Sequence, residues 1–493
     1  MKAFTLVLLV LCTIQISTAI PRPDFGVNVP VYGGANVAVT AKEGNTLIDK
    51  VNDNLDVLLN SGYPLLTTIK TQLIGIANDF TTKGLAVTGA IDTLATSTGP
   101  LDDAFTAFTT ASNDLMLLAN SGLAPYYTVL EAKLDTSITT MLRDAITDVT
   151  TELTKLGGLL DSLKLQLKSA VTAAGSNAPS KTILRKYVST TLTSNIGKSV
   201  ISLKALIPLV TYIVANSIEN LKVADDYIID AGKVATNSLD TTNKGLEALE
   251  AEIQQYSDDT SQITAIIAPV AQANLDMSSV DMSGISSISS EMNEYKATYT
   301  TELDNTIIAI KALYDTYKTA VPLVSDGLST FLSDKVGDHL HRLVFVLISN
   351  GKYADYCYSK YASRALALFD EQAREANRCV DLEITRLLKL QEILLAITKL
   401  LVFNIEDLLA EITICAKSSA LCDVDSVELA FHKIHLSALA HQTSMKNIVK
   451  AETVAGLQRV SACFSTSRYL LVIASNNMIP EINSCATDGP NAP

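Results

Sequence analysis

Apart from Cys12, no cysteine occurs before Cys357, and six then fall within the last third of the 493-residue chain. Covalent stabilisation by disulfides is therefore confined to residues 357–485. Charge is also scarce: 18% of residues are charged and 48% hydrophobic, against a usual charged share of roughly 25%. Such a chain has to bury extensive apolar surface. Most of what charge exists is negative, with a net of -14, and no cluster of Lys and Arg is present. That excludes the phosphate contacts on which nucleic-acid binding and docking to anionic membranes depend. No Asn-x-Ser/Thr sequence occurs, so N-linked sugars are excluded. Between Gly351 and Gly456 there is neither glycine nor proline, leaving room for one very long helix, a turn and the start of another.

Long hydrophobic runs are confined to the start. Lys2, the apolar run Phe4–Ile16 and the small-x-small site Ser17-Thr18-Ala19 read as a signal peptide over 1–19. Beyond it no stretch of eighteen uncharged apolar residues exists. Ala205–Ile218 and Thr260–Leu275 come nearest, but they are short and carry Pro208 and Pro269, so no transmembrane span is expected. The polar tail from Asp488 offers no lipid-anchor signal. An exported chain of this length can hold two or three domains with cores of their own.

What is present throughout is helical periodicity. Apolar residues recur at three and four in Leu47, Ile48, Val51, Leu55, Leu58 and Leu59, which predicts a helix with one apolar stripe over 47–59. Strand-type alternation is nowhere sustained. The stretch 52–64 (NDNLDVLLNSGYP) returns loosely as 113–125 (NDLMLLANSGLAP), a pattern that duplication and chance can both produce. In each copy Gly62 or Gly122 would close a helix in the left-handed conformation, and Pro64 or Pro125 would open the next. Further breaks are expected at Gly99-Pro100, at 173–181, at Pro208 and in the Ser-rich stretch 276–290, the best linker. These divide the chain into a leader (1–19), an N-terminal helical region (20–176), a middle helical region (177–289) and a cysteine-containing C-terminal domain (290–493).

The cysteines act as a ruler. Leu387, Leu390, Leu394, Ile397, Leu401, Ile405, Leu408, Ile412 and Cys415 follow one another at three or four, the spacing of a coiled-coil seam. After a gap, Asp425 and Glu428 offer a capping box for a second helix. Its stripe runs Val427, Phe431, Ile434, Ala438, Met445, Val449, Val460 and Cys463. In an antiparallel pair of helices, facing residues have numbers of constant total. Cys357 with Cys485 and Cys379 with Cys463 both total 842, and Cys415 with Cys422 totals 837. Six cysteines allow fifteen pairings. Cys357 and Cys379 would stand about 33 Å apart on an unbroken helix, far beyond the roughly 7 Å a disulfide spans. The expected ladder is therefore Cys357–Cys485, Cys379–Cys463 and Cys415–Cys422, the last stapling the turn. Reduction is expected to loosen the last third and to leave the N-terminal two thirds comparatively untouched.

This cysteine pattern, with helix-forming sequence between and a leader in front, resembles the TsetseEP-type domain, a secreted family of flies and mosquitoes. The resemblance covers only the region from Cys357 onward. It implies an extracellular protein of gut or reproductive secretions with a suggested part in defence, and it carries over no catalytic residues.

Sites of chemistry are few. His432 and His435 stand at i, i+3, a spacing that could hold a metal, with His441 out of line; the plainer reading is exposed or partly packed histidines. His339 and His341 complete the set. No nucleophile elbow, zinc-protease motif, phosphate loop or dinucleotide fingerprint occurs, and the acidic pairs Asp225-Asp226 and Asp258-Asp259 read as helix faces or turns. No cofactor and no enzymatic activity is expected. The sequence predicts an all-α, elongated helical bundle ending in a long disulfide-laddered antiparallel hairpin. Its expected role is a non-enzymatic extracellular one, toward a protein or matrix partner or, through the seam, a second copy. A membrane-active or lipid-carrying helical protein is the alternative.

Overall fold

The computed structural model describes residues 24–258, 272, 286–417 and 423–492. The leader, the apolar stretch Thr260–Leu275 apart from residue 272, the linker residues 276–285 and Cys422 lie outside the described residues. The chain is all-α: it is 89% helical, and the described residues include no strand. It divides into two compact units that interleave in sequence. Unit 1 takes residues up to Asp230, His341–Tyr361 and the chain from Glu481 onward, and unit 2 takes Ala231–Leu340 and Ala362–Pro480. Single helices supply residues to both units.

Unit 1 is built from α1 (Gly34–Asp49), α2 (Pro64–Thr96), α3 (Leu101–Leu117), α4 (Ala124–Lys133), α5 (Ser137–Ala174), the short α6 (Lys181–Tyr187) and the first part of α7 (Thr190–Asp258). Its core follows the 3.6-residue rhythm: Leu66, Ile69, Leu73, Ile76 and Phe80 of α2 are all buried, as are Leu153, Leu156, Leu160, Leu163 and Leu167 of α5. Gly175 closes α5 at φ 64°, and Ser180 caps α6 by accepting from Ile183 N.

Three local expectations are corrected. The helix predicted over 47–59 stops at Asp49 and passes through one 3-10 turn, Lys50–Asn52; the chain then runs without helix to Pro64, with Leu58 77% exposed. Two features account for this. Asn54 sits at φ 60°, and the Asp225 carboxylate captures the backbone N–H groups of Asn60 (2.7 Å) and Ser61 (2.9 Å), which a helix would have used. The second copy behaves differently: α3 continues into a π-turn, Leu118–Gly122, and Gly122 does not adopt a positive φ. The two copies share the opening proline but not a conformation. Finally, Pro208 does not break the chain. It lies inside α7 at an exposed position, where it removes only the donor to the Lys204 carbonyl.

Burial opposes the charge on Asp225, but the hydrogen bonds from Ser61 and Asn60 outweigh it and hold the carboxyl below its ordinary pKa. A lowered folded pKa stabilises above the unfolded value of about 3.9, and the stabilisation is lost as pH falls through the folded one. Asp225→Ala is therefore expected to cost about 1–3 kcal/mol at neutral pH. The difference from the parent should vanish in strong acid, and residues 53–63 should become the first site of limited proteolysis. An unchanged cleavage pattern would show that Asp225 does not hold this segment.

Unit 2 contains the remainder of α7, α8 (Ser286–Ala320), α9 (Leu328–Val336), the start of α10 (Asp338–Ile348), and most of α11 (Ala354–Lys417) and α12 (Val424–Asp488). One core cluster joins Leu246, Leu249, Ile253 and Tyr256 of α7 with Ile310, Tyr314 and Tyr317 of α8 and both hairpin helices. A second joins Met292, Leu303 and Ile307 of α8 to Leu401–Cys415 of α11 and Val427, Phe431 and Ala438 of α12.

Candidate functional site: the bridged hairpin

The seam read from the sequence is the buried side of α11. Leu387, Leu390, Leu394, Leu401, Ile405, Leu408 and Ile412 are buried and Ile397 partly so, facing Val427, Phe431, Ala438, Met445, Val449 and Val460 of α12. Two rungs of the expected ladder are present. Cys357 pairs with Cys485 at a Cα separation of 5.8 Å and Cys379 with Cys463 at 5.9 Å. Cys415 is disulfide-bonded as well, and its expected partner, Cys422, lies outside the described residues. The cap of α12 is corrected: Asp423, not Asp425, receives the bonds, from Ser426 N (3.2 Å) and Ser426 Oγ (2.6 Å).

The two described bridges belong to different units. Cys357–Cys485 lies in unit 1, where Asn350 (φ 51°) turns the chain into α11. Asn216 Nδ2 donates to Asn350 Oδ1 (2.8 Å), and Asn350 Nδ2 donates to Ser217 Oγ (3.1 Å), anchoring that turn on α7. Past the other end of the bridge Gly489 adopts φ 60° with Tyr353 packed so closely that a Cβ would collide with its ring. The unit containing the N-terminal helices therefore also holds one of the bridges.

Cys379–Cys463 lies in unit 2, and one helical turn from it sits a feature the sequence reading missed. Glu383, 1% exposed, receives Arg459 in a two-pronged arrangement, Nη2 to Oε1 at 2.8 Å and Nε to Oε2 at 3.1 Å. Arg386 Nη1 reaches Oε2 at 3.3 Å, and Arg459 also contacts Glu452 at 3.1 Å. The Glu383 carboxylate raises the Arg459 pKa further above its ordinary value. Burial chiefly, with the Glu383 charge added, raises that of Tyr317, whose hydroxyl lies beside the pair. Gly456 makes room, since a Cβ there would meet both Glu383 Oε1 and the Tyr317 hydroxyl. The signal was available: Glu383 and Arg459 total 842, like the cysteines four residues away, and both stand in the apolar rhythm. A similar rung follows where Ser467 Oγ donates to Gln372 Oε1 at 2.9 Å.

The histidines are dispersed. His339 is fully buried between Ser475 Oγ (2.8 Å) and the carbonyl of Ala365 (3.2 Å), and His341 stacks on Tyr63. His432 is exposed beside Asp425 and Glu428. Among the described residues no three His, Cys, Asp or Glu side chains converge as metal ligands. Among the described residues one helix, α7, is long and apolar enough to cross a membrane by length and composition, and 39% of its most apolar window is buried.

No protein-family model, curated protein or solved structure matches the chain.

Proposed function

We propose that this protein acts outside the cell, without catalysis, by binding a protein or matrix partner through the outer side of the bridged hairpin. The observation that carries the reading is a second apolar row on α11. Flanking the buried seam, Ile393 (49% exposed), Leu400 (51%), Phe403 (60%) and Ile414 (69%) fall on one side of the helix. A helix apolar on two sides is usual inside an assembly and costly in water. Disulfides support the oxidising setting outside the cell, and the leader-like residues 1–19 support export. The TsetseEP-type likeness and its gut or defence setting belong to the same proposal and rest on cysteine spacing. The rigidity given by bridges and ion pair keeps the row in place before binding, lowering the ordering cost of association.

The test uses the oxidised chain and its Leu400→Glu/Phe403→Glu variant, each immobilised in the native fluid. The parent should retain a defined partner that the variant loses by at least tenfold, with helicity and melting temperature unchanged because both side chains are exposed. Identical retention by the two proteins would refute the assignment of this surface; a self-association reading is checked by sedimentation of the same pair. A second reading, membrane-active or lipid-carrying, is supported by the apolar composition of α7. Dye release from liposomes by the isolated protein separates it from the first.

A further inference from the structure

We infer that unit 1 carries a binding site for a single-chain amphiphilic anion, a fatty carboxylate, in a cleft between the N-terminal strap and the start of α7. The strap, residues 24–33, is built in place. Val31 N donates to Asp24 Oδ2 (2.9 Å), Asn28 N to the carbonyl of Asn177 (2.8 Å), and Asn177 Nδ2 back to the carbonyl of Gly26 (3.1 Å). These bonds fasten the strap beside the loop that precedes α6 and leave a cleft of about 420 Å³. Its apolar wall comes from Pro30, Val31, Tyr32, Leu184 and Val188. Volumes of roughly 300–1,000 Å³ are usual for small-ligand sites, and the low end suits one acyl chain rather than a two-chain phospholipid.

The polar side of the cleft is uniformly positive, in a chain whose net charge is -14. Lys181 and Arg185 both line it, one turn apart on α6, and neither has an ion-pair or hydrogen-bond partner among the described residues. Like charges at i, i+4 repel. The mouth of α7 adds to this. Thr190 and Thr193 line the cleft at the N-terminus of a 69-residue helix whose first turn holds no acid. Among the described residues no carboxylate lines the cleft, and Asp24, the one acid of the strap, is 2% exposed and accepts from Val31 N. Two unpaired cations are stabilised by an anion, and the apolar wall behind them fits the tail attached to it. Tyr32, 68% exposed at the rim, would lose that exposure when a chain lies across it.

This site shares no residue with the outer row of α11, so either proposal can fail while the other stands. The test is calorimetric titration of the full oxidised chain with saturated carboxylates from octanoate to dodecanoate, below their micelle concentrations, and with dodecanol. One site per chain is expected, tightening about three- to fourfold for each added methylene until the cleft is filled. Dodecanoate should bind at least tenfold more tightly than dodecanol at low salt, and added salt should narrow that gap. Lys181→Ala/Arg185→Ala, exposed positions that leave the fold intact, should abolish the preference for carboxylate while leaving dodecanol binding unchanged. Val188→Phe, which fills the wall, should weaken both ligands; helicity of each variant is read by circular dichroism. Absence of saturable binding, or binding indifferent to all three substitutions, overturns the inference.

Discussion

Arg459→Leu is expected to destabilise unit 2 by about 3 kcal/mol or more, a far larger effect than any surface ion pair would give. The reason is the inequality of the two partners. Glu383 is 1% exposed while the Arg459 side chain is 30% exposed, so deleting the arginine strands a carboxylate deep between helices with only Arg386, itself half-exposed, within reach. Deleting the acid is milder, because Arg459 keeps Glu452 at 3.1 Å and some access to water. Glu383→Leu/Arg459→Leu should recover most of the lost stability, since an apolar pair of similar volume removes both desolvation costs. The measurement is a denaturant midpoint for the four proteins, with a drop of about 10 °C in melting temperature for the single arginine variant. A single-variant loss under 1 kcal/mol would mean that water reaches Glu383. The pair's position also bears on register. Sliding one helix past the other by one turn would part Glu383 from Arg459 and Cys379 from Cys463 together, so the ionic and covalent contacts favour the same alignment.

Removing the Cys379–Cys463 bridge should have the next largest effect. It closes 84 residues of chain, for which the loop-entropy relation gives about 4–5 kcal/mol. Cys379→Ser/Cys463→Ser retains Cys357–Cys485, which encloses the same segment over 128 residues. The residual constraint reduces the expected loss to about 2–4 kcal/mol. Peptide mapping without reduction should recover Cys357 with Cys485 and Cys379 with Cys463; a Cys357–Cys379 peptide would be incompatible with α11 as a continuous helix. Full reduction should reach both units. Because Cys357–Cys485 belongs to unit 1, amide exchange should also rise in residues 354–361 and 481–492, where Gly489 packs on Tyr353. Exchange confined to residues 362–480 would contradict that placement.

Legibility in the sequence varied with the range of the interaction responsible. Helix pairing in the hairpin was legible because it depends on repetition: a seam of 3.5-residue period, a gap-free stretch without glycine or proline, and cysteines at matched totals all report the same alignment. The buried ion pair obeyed the same totals but was passed over, since charged residues in an apolar rhythm read as solvated until their burial is known. The segment 53–63 was misread for the opposite reason. Its apolar spacing is helical, but its backbone donors are taken by Asp225, more than 160 residues away in sequence, and no local pattern encodes such a capture.

By itself, then, the sequence determined the all-α class, the antiparallel register of α11 and α12 and the pairing of at least two bridges, because periodicity and spacing are one-dimensional quantities that survive into three dimensions. Tertiary structure alone decided which unit each bridge stabilises, which charges are buried and where Lys181 and Arg185 meet an apolar wall. Those outcomes depend on which distant segments share a boundary with water, and solvent exclusion is a property of the packed volume rather than of any window of the chain.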